Sequence, residues 1–179
     1  MKSIHYRQTE GVAYSDTEWI TTPLVSVREA LYLPAILTNY LLGRDGQTMG
    51  PSTFAKNFQQ VCDLVIRIIQ QYEANRAIAE ATSLNCYRSQ LLKSVFMVYK
   101  HLILQNEKRF YVGDLRAFDE AVATSSREIY LASDAFVQPS RTFPCRIAHW
   151  YRKWKSRNHP MLLAYRIYLR LAKRIKKIF

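Results

Sequence analysis

Ser52-Thr53-Phe54-Ala55-Lys56-Asn57-Phe58-Gln59-Gln60-Val61-Cys62-Asp63-Leu64-Val65-Ile66-Arg67-Ile68-Ile69-Gln70-Gln71-Tyr72 is the stretch on which the fold class turns. Its residues Phe54, Phe58, Val61, Cys62, Val65, Ile68, Ile69 and Tyr72 recur every three or four positions. That spacing lays them along one face of an α-helix, so the segment reads as an amphipathic helix with Ser52 as its cap. The same period continues downstream. A second helix is expected from about residue 84 to 105, with Leu84, Tyr87, Leu91, Val95, Val98 and Leu102 inward. Asp114 can cap a third, with Leu115, Phe118, Val122, Ile129 and Ala132 inward. Gln138-Pro139-Ser140 and Phe143-Pro144 mark a break. A fourth helical pattern follows Pro144, and a fifth follows Pro160, which suits a first-turn position.

Upstream of residue 52 the pattern changes. Residues 16–27 read as a short helix, limited or bent by Pro23. Ala30–Leu33 and Ile36–Leu42 are short apolar segments on either side of Pro34, expected as strands or extended pieces. Gly43 to Pro51 holds three of the five glycines and reads as a loop. The expected architecture is mainly α. A short α/β remnant at the N-terminus is followed by a C-terminal helical bundle. The expected divisions are residues 1–51, a helical extension over 52–137, and a basic, aromatic helical tail over 138–179.

With 179 residues, 49% of them hydrophobic and 13% aromatic, the chain has ample material for a core. Cys62, Cys86 and Cys145 are an odd number, far apart, and without metal-ligand spacing, which favours buried thiols in a reducing compartment. The N-terminal residues lack the apolar core of a signal peptide, and no window is apolar enough for a transmembrane span. His5, His101, His149 and His159 form no local metal motif, so no metal site is expected. No phosphate loop or nucleophile elbow is present.

Two short pieces of the N-terminal part carry a resemblance. They are Ser15-Asp16-Thr17-Glu18-Trp19, an acidic pair before an aromatic, and Gly43-Arg44-Asp45-Gly46-Gln47-Thr48, a polar turn after an apolar run. Together they resemble the end of the catalytic domain of family 2 glycosyltransferases, inverting enzymes with the type-A nucleotide-diphospho-sugar fold. The likeness covers roughly residues 7–50. It implies sugar transfer from a nucleoside diphosphate sugar to a glycan or lipid-linked acceptor, with a divalent metal, Mg or Mn, in the complete enzyme. The family's metal-binding Asp-x-Asp does not occur in this chain, and no strand–helix alternation precedes Gly11. The resemblance therefore implies a truncated or split transferase. It would be inactive alone, hold no cofactor of its own, and be completed by a separate nucleotide-binding half.

Each candidate site residue has a plainer alternative. The resemblance makes Asp16 the general base that takes the acceptor's proton; as sequence alone, Asp16 is a helix N-cap. Glu18 is a substrate-orienting carboxylate or a first-turn acid. Trp19 is a sugar platform or, more in keeping with an apolar helix face, a core residue. Arg44 and Gln47 either close over a pyrophosphate or sit in an ordinary Asp-Gly turn.

Charge supplies the second signal. The net charge is +12, yet residues 1–134 contain all 14 acidic residues and 14 of the 26 Lys and Arg, and so are balanced. The other 12 cations lie in residues 135–179, which contain no acid. On a helical wheel starting at Pro160, one arc takes Arg166, Arg170, Lys173, Arg174, Lys176 and Lys177. Met161, Ala164, Tyr165, Ile167, Tyr168, Leu171, Ala172, Ile175, Ile178 and Phe179 fill the other. A basic amphipathic helix of this kind lies on an anionic membrane surface, with Trp150 and Trp154 as interfacial aromatics. The same pattern also fits an apolar face packed on the bundle, or a basic face against nucleic acid. No nucleic-acid-binding motif raises the last of these. The expected location is cytoplasmic, peripheral on the inner face of the cell membrane. A non-enzymatic helical adaptor with a membrane- or nucleic-acid-binding tail is the alternative to the transferase.

Overall fold

A computed structural model describes residues 9–12, 14–36, 39, 57–104, 112–137, 145–154 and 160–175. The described residues are mainly helical: α1 (Ser15–Thr21), running into a 3-10 helix (Thr22–Ser26), then α2 (Phe58–Asn75), α3 (Ala81–Leu104), α4 (Val112–Ser125), α5 (Arg127–Ala135), α6 (Ile147–Trp154) and α7 (Pro160–Ile175). No strand occurs among them, so the expected α/β remnant is not found. Residues 30–36 belong to no helix or strand and bend at Ala35, while residues 37, 38 and 40–42 lie outside the described part.

The chain divides into two compact units, Met1–Ser89 and Gln90–Phe179, with the division inside α3. In the first unit, α2 buries Phe58, Val61, Cys62, Val65, Ile68, Ile69 and Tyr72, as its period predicts, and Leu64 besides. Ser52 and Phe54 lie outside the described residues; the helix begins at Phe58 after Asn57. Tyr72 and Tyr87 meet edge to face at 5.6 Å, and the Tyr87 hydroxyl donates to the Ile68 carbonyl at 3.2 Å. Burial, with the charge of Glu18 adding and a Thr22 hydrogen bond opposing, pushes the Tyr87 hydroxyl up to about 12. It therefore stays a neutral donor inside the core.

In the second unit, α3 contributes Leu91, Val95, Val98, Tyr99, Leu102 and Ile103, and α4 contributes Leu115, Phe118 and Val122. The single helix expected after Asp114 is two helices. Ser126 is extended (φ −158°, ψ 112°) and its hydroxyl accepts from the Ile129 N–H at 3.0 Å, capping α5. The run Thr124-Ser125-Ser126 explains the break, since hydroxyl side chains compete for backbone partners and favour caps over helix interiors. Pro23 ends the α-helical turn of α1 and sits in the first turn of the 3-10 segment.

His101 lies near the end of α3, and burial lowers its pKa from 6.5 to about 4. The folded chain thus holds it neutral where the unfolded chain protonates it. Stability from this group is complete above pH 6.5 and is lost as pH falls from 6.5 towards 4. Chemical denaturation across that window should show a falling midpoint, and His101→Gln should flatten the fall. An unchanged pH profile in the variant would place the acid sensitivity elsewhere.

Candidate functional site

The residues singled out at the N-terminus go to opposite sides of α1. Asp16 and Glu18 are two positions apart, about 200° around a helix, so they cannot act on one ligand together. Asp16 is exposed in the first turn, and its Oδ1 accepts the Thr17 N–H at 3.0 Å. It is not the N-cap. That position belongs to Tyr14, which is left-handed (φ 66°) and makes no side-chain cap bond. Glu18 is fully buried. Its Oε2 accepts the Thr9 N–H at 2.9 Å, and its Oε1 faces Gln71 Nε2 at 3.4 Å. Gln71 in turn accepts from the Thr22 hydroxyl at 2.7 Å, and Arg67 bonds the Thr9 hydroxyl. Glu18 is a strut that ties residue 9, α1 and α2 together, which removes it from any substrate-orienting role in this conformation.

The inward stripe of this region is Glu18, Thr21, Thr22 and Val25, at helical spacing. Its outward side carries Trp19 at 61% exposure and Ile20. Trp19 is thus not a core residue, against the plainer expectation. The same unit exposes Leu31, Tyr32, Leu33 and Ile36. Arg44 and Gln47 lie outside the described residues, as do Lys176 and Lys177.

The densest polar cluster is one the sequence did not reveal. Arg152, on α6, is almost completely buried and bonds through all three guanidinium nitrogens. Its Nε donates to Asp119 Oδ1 at 2.7 Å, and its Nη1 to the Tyr130 carbonyl at 2.7 Å. Its Nη2 donates to the Tyr99 hydroxyl at 2.8 Å and to Ser133 Oγ at 3.0 Å. The guanidinium also lies over the Tyr130 ring, 3.6 Å from its centroid. Tyr99 completes the ring of bonds by donating to Asp119. Burial, the largest effect, with Asp119 adding, raises the Tyr99 pKa well above its ordinary value. One cation thereby links α3, α4, α5 and α6. The available signal was Asp119 itself, an acid directly after Phe118 on the inward face of α4. Four of the five guanidinium N–H donors are spent inside the cluster, on bonds between helices rather than on an open face.

Trp150, expected at a membrane interface, is instead buried in α6. His149 pairs with Asp134 at 3.0 Å and Arg146 donates to the Asp134 carbonyl at 3.3 Å. In α7, Leu162 and Tyr165 are buried, while Met161, Leu163, Ile167 and Leu171 are exposed. Tyr165 therefore belongs to the packed side rather than to the membrane-facing arc drawn from sequence. Arg166 Nη2 donates to the Ile103 carbonyl at 2.5 Å. Arg170, Lys173 and Arg174 lie within α7, and Trp154 ends α6.

Among the described residues, no group of three His, Cys, Asp or Glu is placed to hold a metal ion. No helix there is long and apolar enough to cross a membrane. No known protein family, curated protein or solved structure matches this chain.

The Arg152 cluster makes a firm stability prediction. Removing one partner of a buried ion pair leaves the other uncompensated and costs about 3–5 kcal/mol. Arg152→Ala and Asp119→Ala should each lose stability on that scale in urea unfolding. The double substitution Arg152→Met with Asp119→Leu should recover most of it, because the pair of charges is then removed together. Single variants as stable as the parent would show that the cluster does not hold the second unit together.

Proposed function

We propose that the chain is a helical module that attaches peripherally to an anionic membrane surface through its C-terminal region. The observation that carries this reading is the exposed apolar side of α7. Leu163, Ile167 and Leu171 remain in solvent although the helix also packs inward through Leu162 and Tyr165. Exposed apolar residues scattered singly are ordinary, but a row of them on one helix marks an interaction surface. The acid-free composition of residues 135–179 selects the kind of surface. A cation close to anionic lipid contributes about 1 kcal/mol, and the attraction fades over a Debye length of about 8–10 Å. The inner leaflet of a cell membrane supplies such lipid, which makes its cytoplasmic face the proposed location.

In flotation with vesicles, the full chain should rise with anionic vesicles and stay behind with neutral ones. Added salt should weaken the association without abolishing it, because the apolar contribution is not screened. Arg170→Glu, Lys173→Glu and Lys177→Glu together should abolish it. Equal recovery on both vesicle types, or none on either, would reject the reading.

A second reading keeps the transferase resemblance and rests on the exposure of Asp16. An acceptor-side base must be reachable, and Asp16 is, whereas Glu18 is not. In this reading a separate nucleotide-binding half, with its Mg or Mn, supplies the donor sugar. Calorimetric titration of this chain alone with nucleoside diphosphate sugars and manganese should then be flat. Asp16→Asn in the completed enzyme should cost on the order of 10²–10⁴-fold in rate. Normal turnover by that variant would remove Asp16 from the role.

A further inference from the structure

The packing of α7 sets two apolar sides of the helix apart, and draws on Leu162 and Leu163, which the arcs drawn from sequence left out. Leu162 and Tyr165, three positions apart, are buried in the second unit. On the far side, Leu163 (54% exposed), Ile167 (49%) and Leu171 (52%) follow one another at intervals of four and make one stripe. At 100° per residue, Ile167 stands about 140° from Leu162, and Leu163 about 160° from Tyr165. Arg166 falls between the two sides, and its Nη2 is engaged by the Ile103 carbonyl. Tyr165 is held further by a hydrogen bond with Cys145, whose thiol burial pushes up to about 12.

A helix with two separate apolar sides has no need to leave its bundle in order to meet a bilayer. Resting on the membrane reading above, we infer that α7 inserts only the Leu163–Ile167–Leu171 stripe into the headgroup boundary. Leu162, Tyr165 and Arg166 stay docked in the second unit. The occupant of the stripe is an anionic bilayer, and charge argues for it. Arg170 and Arg174 follow Ile167 by three and seven positions, and so share the stripe's side of the helix by register. No acidic residue occurs anywhere beyond Asp134 to oppose them. Over residues 160–175 the membrane surface thus meets a preformed helix, which lowers the cost of ordering on binding. Arg166 also drops out of the set of lipid-facing cations.

The test uses the full chain with Cys86, the exposed thiol, changed to Ser. Single cysteines replace Leu163, Ile167, Leu171 or Leu162, and each carries an environment-sensitive fluorophore. The probe is vesicles of phosphatidylcholine with phosphatidylserine, with phosphatidylcholine alone as control. Emission should shift to the blue at 163, 167 and 171 on the serine-lipid vesicles and stay unchanged at 162. Changing Leu163, Ile167 and Leu171 together to Ala should lower partitioning at least about tenfold, since each buried methylene counts. Near-ultraviolet circular dichroism should keep its folded signal when vesicles are added. If vesicles bind but position 162 shifts like the others, or the folded signal is lost, the helix leaves the bundle and the inference fails while the membrane reading stands. If no position shifts and nothing partitions, both fail. The Ala variant carries a folding control of its own, because those three side chains are outside the core; its unfolding midpoint should match the parent's.

Discussion

The second unit depends on a single guanidinium. Arg152 bonds Asp119 of α4, the Tyr99 hydroxyl of α3, and the Tyr130 carbonyl and Ser133 hydroxyl of α5. A planar group with five donors is the only side chain able to satisfy that many partners on different helices at once. Lysine in its place would bring a point charge and fewer donors. The cost of burying the cation is offset by Asp119, buried beside it, and by contact with the Tyr130 ring. The cluster fixes α6, the helix that directly precedes the segment leading into α7.

This arrangement changes what the net charge of the tail means. Twelve cations with no acid look, as composition, like one uniformly positive surface. The fold draws some of them inward. Arg152 is consumed by the cluster, Arg166 reaches the Ile103 carbonyl and Arg146 the Asp134 carbonyl. Since the tail has no acid of its own, its buried cation must take its partner from α4, and Asp119 and Asp134 serve the tail from outside it. The charge asymmetry of the sequence is thus partly a folding device.

Much of the helical framework was legible, because a large apolar residue every three or four positions leaves little choice of face. The inward faces of α2 and α4 follow their periods, as does that of α3 from Tyr87 onward, where Leu84 is only half-buried and Ser83 takes the inward place, and Pro160 opens α7 as a first-turn proline should. Legibility failed where polar groups took over the inward role. In α1 the buried stripe is Glu18, Thr21 and Thr22, satisfied by Thr9 and Gln71 from elsewhere in the chain, while Trp19 and Ile20 face out. No local pattern announces such an exchange, because the partners that permit it are distant in sequence. The two tryptophans show the same lesson from opposite sides: the core alternative for Trp19 fails because it is exposed, and Trp150, expected at a lipid interface, is buried. Ser126 split one expected helix in two through a cap visible only when the period is allowed to restart.

The central claim is that α7 faces two ways, one side held by the second unit and one side offered to anionic lipid. Hydrogen–deuterium exchange on the full chain, with and without phosphatidylserine vesicles, addresses it directly. The account predicts slower amide exchange confined to residues 160–175, with α3 to α6 as protected as in the free chain. Faster exchange in α6 and in the first turns of α7 on adding vesicles, or no change anywhere, would contradict it.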